Sequence, residues 1–145
     1  MTQRRAAYKT ARVSEHEEQA LFVEAVKRIY ANRDDFIPVL MFAPPNGAWL
    51  GGANPYALMN KLKAEGFQSG VADLIYLQPR GPYNCLAIEF KAIDKREEKN
   101  GGLSEKQMEF LEQLNAAGGC ADVCYGAEHA LEVFAAYMAE EVRSG

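Results

Sequence analysis

No apolar run in the chain approaches the roughly 18 residues that a membrane span requires, which argues against a spanning helix. The start, Met1-Thr2-Gln3-Arg4-Arg5, lacks the apolar stretch of a secretory signal, so a cytosolic protein is expected. Cysteine is scarce. Cys85, Cys120 and Cys124 cannot all pair within the chain, and free thiols in a reducing compartment account for them. An excess of positive charge is also missing: 16 Lys and Arg stand against 20 Asp and Glu, a formal net charge of -4. That balance argues against coating nucleic acid through bulk electrostatics. Gly47, Gly51 and Gly52 are followed by no Gly-Lys-Ser/Thr, so they form no phosphate loop. Cys120 and Cys124 with His129 have an unusual spacing for zinc and lack a fourth ligand, which favours core thiols. No internal repeat and no second domain are visible.

What is present fits one α/β domain of 145 residues, 48% hydrophobic and 25% charged. The charge is unevenly spread. Residues 1–13 form a basic arm with Arg4, Arg5, Lys9 and Arg12 and no acid, ahead of a domain over 14–145. Ser14 before Glu15-His16-Glu17-Glu18 and the apolar positions Leu21, Phe22, Ala25, Val26 and Ile29 predict a capped helix to about Ala31. Phe36 to Phe42 reads as a strand despite Pro38, and 43–55 as a long Gly- and Pro-rich loop. A helix over 56–65 follows. Strands over Val71–Leu77 and Leu86–Ala92, joined through Pro79-Arg80-Gly81-Pro82, read as an antiparallel hairpin. Asp94 to Gly102 is charged and expected to be exposed. A helix from Ser104, a strand over Ala121–Tyr125 and a helix over Ala127–Val142 complete a single mixed sheet flanked by helices.

Within this frame the chemistry gathers on two strands. Alternation along Leu86-Ala87-Ile88-Glu89-Phe90-Lys91 puts Ile88 and Phe90 on one face and the carboxylate and ammonium of Glu89 and Lys91 on the other. A Glu and a Lys two apart also occur on ordinary solvated strand faces. Asp73, sixteen residues before Glu89, interrupts the apolar run Val71-Ala72-Asp73-Leu74-Ile75-Tyr76-Leu77. A charge in such a run is costly unless it is paired or binds a metal. Phosphodiester hydrolysis needs an activated water and an offset for charge on the phosphoryl oxygens. A hard divalent ion, Mg²⁺ or Mn²⁺, supplies both from one or two carboxylates. Asp73 and Glu89 are candidate ligands, with the carbonyl of Phe90 as a third, and Lys91 is placed to orient or help deprotonate the water.

The segments 63–74, ending Ser69-Gly70-Val71-Ala72-Asp73-Leu74, then Ile88-Glu89-Phe90-Lys91-Ala92, then Leu103-Ser104-Glu105-Lys106-Gln107, resemble the virus-type replication-repair nuclease (VRR-NUC) family of the PD-(D/E)xK superfamily. The likeness runs over about residues 14–137. It implies a restriction-endonuclease-like core and a metal-dependent DNA endonuclease of the compact, stand-alone kind found in phages and bacteria. Such members are often homodimers and are associated with branched DNA such as four-way (Holliday) junctions. A phage-encoded protein of this kind would work in the host cytoplasm. Ala72 stands where the family usually has proline, which implies a slightly different start to the strand and retained activity.

Carried over residue by residue, the resemblance implies Asp73 and Glu89 as metal ligands, Lys91 as the catalytic lysine, and a further acid on the first helix. Glu18 is favoured for that role over Glu15, three residues away on the same side, while an acidic first turn favoured by the helix dipole explains the cluster equally well. Gln107 is either support for the site or the far half of a Ser104 capping box. Asn46, Trp49, Lys61 and Lys63 are candidate DNA contacts, with packing and solvation as the ordinary alternative. A non-catalytic DNA-binding or assembly module that keeps the fold is the competing reading, and the retained charges speak against it.

Overall fold

A computed structural model describes residues 14–45 and 54–143; the basic arm, Asn46 and Trp49 lie outside these residues. Four helices are present among the described residues: α1 Glu15–Ile29, α2 Pro55–Ala64, α3 Glu105–Ala116 and α4 Ala127–Met138. They surround a sheet of β1 Met41–Phe42, β2 Leu74–Tyr76, β3 Leu86–Lys91 and β4 Cys120–Tyr125, in spatial order β1-β2-β3-β4. β2 pairs antiparallel with both β1 and β3, as the short hairpin link requires, whereas β3 and β4 run parallel across the α3 crossover. The mixed sheet agrees with the expected fold class.

Local signals explain most of these elements. Ser14 caps α1 by accepting the Glu17 N–H at 3.2 Å, and Asn54 caps α2 by accepting that of Ala57 at 3.1 Å. Two expected strands are shorter than the apolar runs that carry them. Phe36 to Leu40 forms no strand: Pro38, with φ fixed and no N–H to donate, opens a 3₁₀ turn over Pro38–Leu40, and only Met41–Phe42 pairs. β2 starts at Leu74, so Asp73 stands just before the strand rather than within it.

One face of the sheet carries the core. Leu74 and Tyr76 of β2 and Leu86, Ile88 and Phe90 of β3 meet Phe22 and Val26 of α1 and Ala130, Phe134, Tyr137 and Met138 of α4. Phe134 is the hub, with ring centroids of Phe22, Tyr30, Phe36 and Tyr76 between 5.1 and 6.1 Å away. Cys124 is fully buried in this core, and all three cysteines are free.

The outer edge of β4 is closed by side chains. Its N–H groups that face away from β3 belong to Ala121, Val123 and Tyr125. They donate to Asn115 Oδ1 at 2.8 Å, Asp122 Oδ1 at 2.8 Å and His129 Nδ1 at 3.0 Å. Asn115 also donates to the Ala121 carbonyl at 3.0 Å, so it imitates a neighbouring strand. An edge satisfied in this way no longer offers a template for strand addition.

Candidate active site

Asp73, Glu89, Lys91 and Gln107 come together at the end of the β2–β3 pair. Their convergence follows from the register. Leu74 lies opposite Ile88, so one further step would place Asp73 opposite Glu89, and a second Ala72 opposite Phe90. The ladder stops there because the Phe90 N–H donates to Asp73 Oδ2 at 2.7 Å instead of to a strand carbonyl. The N–H and C=O of one residue in an extended strand leave on the same side, so the Phe90 carbonyl emerges at the edge where the Asp73 carboxylate sits. The Gln19 side chain of α1 holds the other end of this residue, donating to the Asp73 carbonyl at 3.3 Å.

All six residues of β3 are buried, and Glu89 is only 3% and Lys91 8% exposed. The two charges occupy the face opposite Ile88 and Phe90, as the alternation predicts. Lys91 Nζ stands 3.9 Å from Glu89 Oε1, a long separation for an ion pair. Gln107 Nε2 donates to the same Glu89 oxygen at 2.8 Å, while Gln107 Oε1 accepts the Ser104 N–H at 2.9 Å. Support and capping, alternatives from the sequence alone, are thus performed at once by the two ends of one amide. The Ser104 hydroxyl completes the capping box by accepting the Gln107 N–H at 3.2 Å, so the side chain that orients Glu89 is fixed to a helix start.

The electrostatics of the pair are unbalanced. Burial, then the charge of Asp73, pushes the Glu89 carboxyl up to about 8, and Lys91 only partly opposes this. Burial also raises Asp73, against the hydrogen bond from Phe90 and a hydrogen bond shared with Glu89. Two carboxyl groups in reach of each other with a single distant ammonium do not both ionise near neutral pH, and Glu89 keeps its proton. A divalent cation would relieve this, and the donors are hard oxygens suited to Mg²⁺ or Mn²⁺. Among the described residues no three His, Cys, Asp or Glu side chains form a closed cage. Asp73 and Glu89 are the two acids that meet at this strand edge, beside the Phe90 main chain.

The two first-helix acids are placed differently. Glu18 Oε2 accepts the Ala127 N–H at 2.6 Å and so caps the start of α4, which has no side-chain cap of its own at Gly126. The acid nearer the Asp73–Glu89–Lys91 group is Glu15. Its Oε1 accepts the Ala92 N–H at 3.3 Å and pairs with Lys95 Nζ at 2.8 Å. Burial works against ionisation of Glu15, but Lys95, the Ala92 N–H and the charge of Lys91 together outweigh it and lower its pKa. Helical spacing puts both acids on one side of α1; which meets the site depends on where β3 ends and α4 begins, a tertiary fact. Lys61 and Lys63 are exposed on the last turn of α2. Met59, one turn earlier, lines a cavity of about 180 Å³ that reaches Asp73.

Opposite in character is Arg80, read from sequence only as part of a turn and found 1% exposed. It donates to Gln78 Oε1 at 2.8 Å, to the Met138 and Glu140 carbonyls at 2.8 and 3.1 Å, and to the Asp35 carbonyl and Oδ2, both at 2.9 Å. Hydrogen bonds from Arg33 and then Arg80 hold the Asp35 carboxyl well below the usual carboxylate range.

Comparison with known proteins bears on the family and the fold. The model of the VRR-NUC domain matches residues 51–128, more than half of the chain. A solved structure described as a VRR_NUC domain protein superposes with a TM-score of 0.69 at 24% identity, covering 92% of this chain and 94% of the other, which shows a shared fold. No curated protein matches. The matched segment contains Asp73, Glu89, Lys91 and Gln107, and the chain belongs to the VRR-NUC family.

Proposed function

We propose that this nuclease-family protein is a metal-dependent DNA endonuclease that hydrolyses phosphodiester bonds at the Asp73–Glu89–Lys91 cluster. The observation that carries the reading is the convergence of a buried and a half-buried carboxyl group beside a buried lysine, both acids raised in pKa by desolvation and Glu89 also by the charge of Asp73. Ordinary structural ion pairs are arranged to lower carboxyl pKa values, not to raise them. Asp73 and Glu89 would hold Mg²⁺ or Mn²⁺ with the Phe90 carbonyl, and Glu15, rather than Glu18, is the first-helix acid close enough to assist. When bound, such an ion lowers the pKa of a water and offsets charge on the phosphoryl oxygens.

The chain's own residues do the rest. Phe90 N–H and Gln19 fix Asp73 from two sides, and Gln107 fixes Glu89, so neither carboxylate swings away when DNA arrives. Lys91 extends from the same face as Glu89, where an ammonium group orients a water and meets the negative charge of the scissile phosphate. Its burial keeps that charge out of bulk solvent, where screening would weaken it.

Selectivity for branched DNA and a homodimeric state fit the family resemblance and a chain too acidic to bind duplex through charge alone. A dimer would place two sites on two strands, and its interface would lie away from the closed β4 edge. The test is incubation with a four-way junction, a flap and a linear duplex, in Mg²⁺, Mn²⁺ or EDTA, beside Glu89→Gln and Lys91→Ala. Metal-dependent cleavage lost in both variants is expected. Cleavage that survives EDTA or Glu89→Gln would sink the mechanism, and binding without cleavage under every metal would favour a non-catalytic module.

A further inference from the structure

The groove beside Asp73 does not stop at the cluster. Gln68 and Ser69 line the cavity that reaches Asp73 and also line a second, shallower groove of about 290 Å³ bounded by Lys106, Glu109, Phe110 and Gln113. Within that second groove Lys106 Nζ lies 3.1 Å from Ser69 Oγ, and both residues are exposed. Among the described residues no carboxylate forms an ion pair with Lys106; its hydrogen-bond partner is a neutral hydroxyl.

The two ends of this surface are mechanically tied. Lys106 precedes Gln107, whose amide holds Glu89, and both ride on the first turn of α3, locked by the Ser104 capping box. Ser69 precedes Gly70, in the same loop as Asp73. Gly70 has φ +86°, and a Cβ there would sit 2.7 Å from the main chain of Lys106, so the loop is pressed directly onto that helical turn. Whatever sets the distance between Asp73 and Glu89 therefore also sets the place of Ser69 and Lys106. A cation in the first turn of a helix opposes the macrodipole, so Lys106 is not there to stabilise α3.

We propose that Lys106 and Ser69 form a phosphate-binding pair that seats the DNA backbone at a phosphate neighbouring the scissile one, which makes them positioning residues for the cleavage. The pairing suits that ligand: an ammonium supplies charge, a hydroxyl supplies a directed donor, and both point into one groove continuous with the site. The inference rests on the nuclease reading above. Ser69 and Asp73 are four positions apart, an extended reach of at most about 14 Å, which keeps the bound phosphate close to the one being cut.

The test compares wild type, Lys106→Met, Lys106→Arg and Ser69→Ala on one cleavable DNA, with binding titrations over a range of salt in a Glu89→Gln background. Lys106→Met is expected to raise KM about three- to tenfold with kcat nearly unchanged, and Lys106→Arg to restore most of the loss. The slope of log affinity against log salt should shrink by about 0.7 to 0.9, the value for one phosphate contact. Substituting single phosphates by neutral methylphosphonates should reveal one position beside the cut where wild type loses affinity and Lys106→Met loses nothing further. An unchanged salt slope, or a methylphosphonate penalty that persists in Lys106→Met, overturns the proposal. So does a fall in kcat at constant KM, which would mean that Lys106 acts only through Gln107. Wild type that neither binds nor cleaves DNA would overturn the nuclease reading itself, a result distinct from these.

Discussion

The protein buries two clusters of charge, and they are built on opposite principles. Around Arg80, every donor of the guanidinium that the structure shows bonded meets an oxygen: Gln78, Asp35 and the carbonyls of Met138 and Glu140. Tyr76 and Tyr137 add their hydroxyls to the two oxygens of Gln78. The acid in that cluster is driven below its ordinary pKa. Around Glu89, the acids are driven above theirs, because desolvation of both, joined at Glu89 by the charge of Asp73, exceeds what Lys91 returns from 3.9 Å away from Glu89. A satisfied cluster joins elements: Arg80 ties the β2–β3 link to the end of α4 and to the turn at Asp35. An unsatisfied one costs stability, and folded chains keep such costs where a ligand will remove them.

Substitutions at the two clusters should therefore differ in kind. Glu89→Gln is expected to lower cleavage by about 10²- to 10³-fold or more while raising the thermal midpoint of the metal-free protein above about pH 8, where Glu89 ionises and a neutral amide removes the buried repulsion. A metal-free midpoint that falls would break the contrast. Arg80→Met should do the reverse, destabilising by about 3 to 5 kcal/mol in urea denaturation, since Asp35 and several carbonyls lose their partner. Activity per folded molecule should be retained below the shifted transition.

Gln107 separates the two kinds of role within one residue. Gln107→Leu removes the cap contact and the bond to Glu89, and should lower cleavage about 10- to 100-fold and stability by about 1 kcal/mol. Gln107→Glu keeps an acceptor for the Ser104 N–H but sets a third carboxylate against Glu89, so stability should suffer less than activity. Equal losses of both in the Glu variant would show that capping is its whole function.

A further effect expected is one of pH. A carboxyl whose folded pKa is raised binds protons in the native state that the unfolded chain releases. Stability of the metal-free protein should thus be fullest below about pH 4.5 as far as Glu89 is concerned, and decline as pH rises toward about 8. Thermal melts between pH 5 and 8.5 should show this slope in wild type and a flatter one in Glu89→Gln. Asp35 is of the opposite sign and contributes stability that is lost only in strong acid.

Much of the site was legible in the chain because one-dimensional rules govern it. Alternation in β3 assigns the faces of Ile88, Glu89, Phe90 and Lys91, and an acid in an apolar run marks Asp73. The hairpin followed from a short link with two prolines. Illegible were the features set by distant packing. Glu15 and Glu18 differ only in what lies above them, the end of β3 for one and the start of α4 for the other. Arg80, between Pro79 and Gly81, has the local signature of an exposed turn, and nothing nearby announces that Asp35 and Met138 will close over it. Gln107 looked like a choice because its two partners, Ser104 and Glu89, are near and far in sequence. Pro38 was the signal that Phe36–Leu40 would not extend, outweighed in reading by the apolar run around it.

A divalent ion bound as proposed between Asp73 and Glu89 must displace the proton that Glu89 holds near neutral pH. Calorimetric titration of Mn²⁺ near pH 7, repeated in buffers of different ionisation enthalpy, counts the protons released as the ion binds. Release of just under one proton is expected, since the Glu89 carboxyl is pushed up to about 8, with loss of both that release and most of the affinity in Glu89→Gln. Binding without proton release, or equal binding by Glu89→Gln, would contradict it.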